Sequence, residues 1–284
     1  MNIKASELIL NADGSIYHLN LKPADIAPII ITVGDPDRAE RVSEEFDYIE
    51  FKIQKREFKT ITGNKDRKRI TVISTGIGTD NIDIVFNELD ALVNIDLETR
   101  LPKTEHTQLT FIRIGTSGCL ISELGIDALL ISAASIGTDN LVNFYKFPNS
   151  DKLRRLAHFE STFISPYYVK ADRDLVSHFS DPAVRQGITV TANGFYGPQR
   201  RSLRIPYVDE KWLENLMELK IDNLQVTNLE METAGIYALS TLLGHRAISI
   251  NALLANRANG TFSSDPAGME KKMIDWAMKK IMTL

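Results

Sequence analysis

The chain has a single cysteine, Cys119, so no intramolecular disulfide can form and the composition fits a reducing compartment. It has no basic excess either: 33 Lys and Arg face 37 Asp and Glu, a formal charge of -4. Nucleic acid is therefore not an expected partner, and any anion site must be a local cluster of donors. No apolar run approaches the ~18 residues of a membrane span, and the first ten residues contain no apolar stretch of signal-peptide length. A cytoplasmic protein without a membrane partner is expected. The five histidines (His18, His106, His158, His178 and His245) lack metal-ligand spacing, so no metal is expected. Linkers, repeats and low-complexity segments are missing too, which favours one domain over residues 1–284.

What is present is an alternation. Ile29–Val33, Ile70–Thr75, Leu109–Ile114, Ala128–Ala134, Ile188–Thr191 and Ala247–Leu254 are short apolar or β-branched runs that read as covered strands. Helical stretches are expected over Ala39–Phe46, Asn81–Ile95, Glu210–Ile221, Thr233–Leu243 and Ala267–Ile281. Asp96–Gln108 and Asn193–Asp209 read as loops. The pattern predicts an α/β fold with a parallel or mixed sheet. Ligands of such sheets gather at the carboxyl ends of strands, where four segments stand out.

Gly34-Asp35-Pro36-Asp37-Arg38 closes the first strand and opens a helix, whose free N–H groups suit phosphate, with Arg38 as an added fork of donors. The alternative is an ordinary turn with Asp37 as the helix cap. Arg113 interrupts an apolar strand just before Gly115-Thr116-Ser117-Gly118. A buried guanidinium needs either a structural carboxylate or an anionic ligand, and the expected glycine loop would supply further donors. Glu230-Met231-Glu232 precedes a helix. If extended, it turns both carboxylates to one face, where they can accept from ribose hydroxyls; otherwise they are ordinary acids of a first turn. Phe195-Tyr196-Gly197-Pro198-Gln199-Arg200-Arg201 offers a stacking ring, an amide for an imide edge and arginine donors, or else is plain surface. Two patterns are excluded. Gly76-Ile77-Gly78-Thr79-Asp80-Asn81 lacks the third glycine of a dinucleotide fingerprint. Gly115 to Cys119 lacks the second glycine of a nucleophile elbow.

These segments, in order and together with Tyr17-His18-Leu19, Lys55-Arg56-Glu57-Phe58 and Asn256-Arg257, resemble the nucleoside phosphorylase family, and within it the pyrimidine-cleaving uridine phosphorylases. The resemblance runs from His18 to about Arg257. It implies a single α/β domain around a barrel-like mixed sheet, assembled as a homohexamer (a trimer of dimers), and a pentosyltransferase acting on nucleoside and phosphate. Gly34, Arg38, Arg113 and Thr116 would bind phosphate, with Arg56 reaching in from a neighbouring subunit. Glu230, Met231 and Glu232 would hold the ribose, with His18 of the neighbour near its 5′-hydroxyl. Phe195, Gln199 and Arg201 would take the base. Arg201, Gln199 and Arg113 would carry the chemistry. No organic cofactor is implied, and a family cation site is only half matched, since Glu57 fits it and Asn81 does not. Purine-cleaving relatives place an Asp after the last core strand, where this chain reads Leu254-Ala255-Asn256-Arg257. A purine phosphorylase and a nucleosidase on the same fold are the alternatives.

Overall fold

The computed structural model describes residues 2–147, 164–208 and 211–284. His158 and the expected helix start at Glu210 lie outside the described residues. The strands are β1 (Ile29–Val33), β2 (Tyr48–Lys55), β3 (Phe58–Lys65), β4 (Lys68–Ser74), β5 (Ile95–Asp96), β6 (Leu101–Pro102), β7 (Thr110–Cys119), β8 (Leu129–Gly137), β9 (Tyr167–Lys170), β10 (Arg185–Thr191), β11 (Lys220–Ile221), β12 (Leu224–Glu230), β13 (Arg246–Asn256) and β14 (Thr261–Phe262). The α-helices are α1 (Pro36–Ser43), α2 (Thr79–Asn94), α3 (Arg173–Phe179), α4 (Trp212–Met217), α5 (Thr233–Leu243) and α6 (Pro266–Met282).

Among the described residues twelve strands form one mixed sheet, ordered β11-β12-β10-β8-β13-β7-β1-β4-β3-β2 with β9 and β14 at its sides. An additional β12–β7 pairing, Asn228 opposite Cys119 and Leu229 opposite Gly118, closes β7, β12, β10, β8 and β13 into a five-stranded barrel. The α/β barrel-like fold read from the sequence is thus the fold observed.

The outer faces of these strands are apolar. Ile112, Ile114, Ile248 and Ile250 pack with Met273, Ile274 and Ala277 of α6, while Ile188 and Val190 pack with Trp212 and Leu216 of α4. The inner faces are polar: Arg113, Ser132, Thr189, Thr191, Asn228, Glu230, Ser249 and Asn251 are all buried. A five-stranded barrel is filled by its own side chains, and buried polar groups survive there only when hydrogen-bonded to one another. The polar interior explains why the runs alternate on close inspection, Thr-Val-Thr in β10 and Ser-Ile-Asn in β13.

Helix α5 is buried over Thr233–Ser240 and ends on Gly244 in the left-handed conformation (φ 77°), a position that suits glycine. Its expected bounds agree with the structure. Other expectations need correction. Gly115–Gly118 is not a loop, because β7 continues to Cys119 along β13. The stretch expected as helix to Ile221 holds a short helix and then β11, which turns back onto β12 through Asp222 and Asn223, both at positive φ. Asp96–Gln108 is not wholly irregular, since β5 and β6 form a small hairpin within it. Among the described residues no helix is long and apolar enough to cross a membrane.

Candidate active site

The carboxyl ends of β1, β7, β12 and β13 surround a cavity of about 310 Å³. Ten of the twelve residues singled out in the sequence line it: Gly34, Arg38, Arg113, Thr116, Phe195, Gln199, Arg201, Glu230, Met231 and Glu232. His18 and Arg56 do not. His18 is held by Glu88, its Nδ1 lying 2.6 Å from Oε1. Arg56 sits in the β2–β3 turn at positive φ, with its carbonyl accepting from Gln54.

At one end of the cavity, Asp35 rather than Asp37 caps α1, its carboxylate accepting from the Arg38 N–H at 2.8 Å. The Arg38 side chain lies between two acids, Nε on Glu270 at 2.8 Å and Nη2 3.4 Å from Asp35. Neither contact uses Nη1, so the guanidinium keeps donors for an anion.

Of the two partners that a buried guanidinium can require, Arg113 has the structural carboxylate, and it has a neutral amide besides. Its Nη2 lies 2.7 Å from Glu232 Oε2 and 3.1 Å from Glu230 Oε2, while Nη1 donates to Asn251 Oδ1 at 3.0 Å. Burial disfavours its charge, but the two carboxylates outweigh burial and hold its pKa above the ordinary arginine value. Gly115 makes this placement possible, because a Cβ there would stand 2.2 Å from Arg113 Nη1 and 2.4 Å from Cζ. Gly115→Ala is therefore expected to push the guanidinium out of place. Saturation with phosphate should need at least about tenfold more of it, as for loss of a charge-assisted hydrogen bond; an unchanged KM would show that Arg113 has room to spare.

The two glutamates converge on Arg113, yet they differ. Glu230, the last residue of β12, accepts from Thr191 Oγ1, from the Glu232 and Thr233 N–H groups at 3.0 and 2.9 Å, and from Thr233 Oγ1 at 2.8 Å. It is the carboxylate cap of α5, and its acceptor positions are largely taken. Among the described residues Glu232 accepts only from Gly78 N–H, at 2.8 Å, and from Arg113. Burial, only partly offset by Arg113, pushes its pKa above the ordinary carboxylate range.

At the other end, residues 193–201 form a loop pinned by backbone bonds from Gln199 and Arg201 N–H to Tyr196 O, at 3.0 and 2.8 Å. Gly197–Gln199 is one 3-10 turn, with Arg200 left-handed after it (φ 54°). This turn buries Gln199 and lays the Arg201 guanidinium 4.0 Å over the Phe195 ring. Arg201 Nη1 donates to Gln199 Oε1 and, at 3.1 Å, to Phe195 O. Among the described residues no carboxylate pairs with Arg201. Burial, and then the charge of Arg257, pull its pKa down to about 10. It is a partly buried cation that has no counter-charge among the described residues.

Besides Ser117 and Gly118 of the expected donor loop, the cavity is lined by Asp35, Ile77, Leu229, Leu254, Ala255 and Phe262, to which the sequence reading gave no binding role. Most are apolar or small, with no chemistry of their own to flag them. Phe262 enters from β14, a two-residue strand folded back on the end of β13, and no local pattern announced that hairpin.

Two groupings bear on metals. Asn81 Nδ2 donates to Glu57 Oε1 at 3.2 Å, so an amide N–H, not an oxygen ligand, faces that carboxylate. Asp90, His106 and His245 come together although distant in sequence. His245 Nδ1 accepts the Leu109 N–H at 3.1 Å, which puts the ring proton on Nε2, 3.1 Å from Asp90. A protonated Nε2 has no lone pair to give a metal.

Three arginines, two buried acids and a buried amide thus line one cavity at the strand ends of a mixed barrel. A sequence profile of the phosphorylase superfamily matches residues 28–281, and the chain belongs to that family. Among named relatives, a uridine phosphorylase of Thermococcus kodakarensis is 30% identical over 255 residues, covering 88% of this chain and 80% of the relative. One from Haemophilus influenzae is 29% identical, covering 85% and 86%. A solved Trypanosoma brucei nucleoside phosphorylase, described as showing uridine phosphorylase activity, superposes with a TM-score of 0.84 at 27% identity, over 98% of this chain and 100% of that one.

Proposed function

We propose that this chain is a uridine phosphorylase, a pentosyltransferase that cleaves uridine with inorganic phosphate to uracil and ribose 1-phosphate. The observation that carries the reading is Arg201, a cation without a carboxylate partner among the described residues, joined to the buried amide of Gln199 in the same cavity as Arg38 and Arg113. The named relatives support the same choice.

In this mechanism phosphate lies at the Gly34, Arg38 and Thr116 end, with Arg113 beside it. It attacks C1′ from the face opposite the base. The C1′–N1 bond breaks as the C1′–O bond to phosphate forms, through a state with oxocarbenium character. The electron pair of the broken bond passes to uracil, whose carbonyl oxygens are met by Arg201 and Gln199. Glu232, with its spare acceptor positions, takes a ribose hydroxyl beside Met231, while Glu230 keeps Arg113 and the start of α5 in place. Positioning and prearranged charge do the catalysis, and no organic cofactor takes part.

The chain is read as one catalytic domain, since β1 to β14 belong to one sheet apart from the β5–β6 hairpin. His18 and Arg56 serve a neighbour's site in a cytoplasmic homohexamer. Their position outside the cavity of their own chain supports this, and the mass of the assembly in solution tests it.

The functional test is uracil release from uridine by purified protein, with and without phosphate, and with inosine in parallel. Phosphate-dependent release of uracil with ribose 1-phosphate is expected. Phosphate-independent release would make the chain a nucleosidase, and cleavage of inosine alone would reassign Gln199 and Arg201.

A further inference from the structure

The barrel interior holds a polar chain that starts at Arg113 and that phosphorolysis itself does not require. Arg113 Nη1 donates to Asn251 Oδ1 at 3.0 Å, and Asn251 Nδ2 donates to Ser132 Oγ at 2.9 Å. Ser132 is hydrogen-bonded to Thr189, whose Oγ1 donates to Asn228 Oδ1 at 2.9 Å. Asn228 Nδ2 then donates to Ser117 Oγ at 2.9 Å, and Ser117 lines the cavity. Asn251, Ser132, Thr189 and Asn228 are all fully buried. The chain therefore leaves the cavity at Arg113, crosses the barrel and returns to the cavity at Ser117.

Within it Asn251 has a particular place. Its amide has one acceptor and two donor hydrogens. Ser132 Oγ, and Ser249 Oγ at 3.3 Å, take the donor side. The oxygen is thereby left to face the guanidinium, and the reverse orientation would set N–H groups against a cation. Asn251 is also neutral. The two glutamates restrain Nη2 and offset the charge of Arg113, whereas Asn251, at 3.0 Å and closer than Ser249 Oγ at 3.4 Å, restrains Nη1 and offsets none of it. Since Asn251 does not line the cavity, any effect it has on substrate passes through Arg113.

We infer that Asn251 is a positioning residue for phosphate use: it fixes the second nitrogen of the Arg113 guanidinium while leaving its charge available to the anion. The inference rests on the phosphorylase reading above.

The test compares Asn251→Leu, Asn251→Asp and Ser132→Ala with the wild type. Phosphate KM, kcat at saturating phosphate and the rise in melting temperature on adding phosphate are measured for each. Asn251→Leu is expected to raise phosphate KM about tenfold, the fold-change of one lost hydrogen bond to a charged group, with kcat much less affected. Asn251→Asp retains an acceptor but adds a charge that competes with phosphate for Arg113. Its KM defect relative to wild type should shrink as pH falls and the carboxylate takes a proton. Ser132→Ala leaves Ser249 on the donor side of Asn251 and the Asn251–Arg113 bond in place, so it should lower the melting temperature yet hold phosphate KM within about twofold.

Wild-type phosphate KM and an undiminished phosphate-induced rise in Asn251→Leu overturn the inference, as does a Ser132→Ala defect as large as that of Asn251→Leu. If Asn251→Leu does not fold, the pH profile of Asn251→Asp decides, and a profile parallel to wild type overturns it. A wild type with neither phosphate-dependent turnover nor a phosphate-induced rise overturns the phosphorylase reading first, and this inference with it.

Discussion

Arg201→Ala is expected to lower uridine turnover by about 10²–10³-fold, the usual cost of removing one donor aimed at developing negative charge. The loss should fall mainly on kcat, because the charge that Arg201 meets appears on the base only as the C1′–N1 bond breaks. Its neighbour makes the comparison sharp. Arg200 is paired with Glu214 and stacked 5.1 Å from the Tyr207 ring, so its charge is already committed. Arg200→Ala should therefore cost far less turnover than Arg201→Ala. Stability should move the other way. Arg201 is a partly buried cation with a lowered pKa, repelled by Arg257, and folding works against its charge throughout the neutral range. Arg201→Ala should then melt no lower than wild type. Near-wild-type kcat in that variant, measured as uracil release at saturating uridine and phosphate, would remove Arg201 from the base site.

The parts of this site that could be read in the sequence were those in which a residue broke a local rule. Arg113 inside an apolar strand and the closely spaced acids Glu230 and Glu232 are such breaks, and the structure joins the three within one cavity. The paired carboxylates looked equivalent in sequence because residue type says nothing of which lone pairs the start of a helix will occupy. Glu230 is spent on α5 and Glu232 is not, a difference created by the turn at Met231. In the β2–β3–β4 meander only β4 was read as a strand, over Ile70–Thr75, and the hairpins before it were invisible for another reason. Its turns run through Arg56-Glu57 and Asp66-Arg67, and the left-handed residues there are Arg56, Asp66 and Arg67 rather than the Gly or Asn that normally mark a hairpin. Likewise Gly115 read as a flexible anion loop, when its role is to leave room for the guanidinium two residues earlier. Asn251 had no signal at all: a lone amide in Ile-Asn-Ala-Leu gains meaning only when β13 lies beside β7.

Removing Arg113 should have a second large effect, on stability as well as on phosphate use. In Arg113→Met, Glu230 and Glu232 face one another in the barrel without their shared cation. Breaking a buried ion pair from one side costs about 3–5 kcal/mol, and this loss should depend on pH. Glu230 retains four donors from the protein, whereas Glu232 loses Arg113 and has a pKa that burial already raises, so protonation is expected at Glu232. A carboxyl whose folded pKa exceeds its unfolded value favours folding below the unfolded pKa, and that support is lost as pH rises through the folded pKa. The gap in melting temperature between wild type and Arg113→Met should accordingly be smaller at pH 5 than at pH 8. Adding Glu232→Gln removes the stranded charge, so the double variant should regain much of the stability at pH 8. It should not regain phosphate saturation, because no cation has been restored. A gap that does not change with pH would mean that Glu232 is not the group left uncompensated. A double variant that saturates with phosphate like wild type would show that Arg113 serves the fold and not the anion.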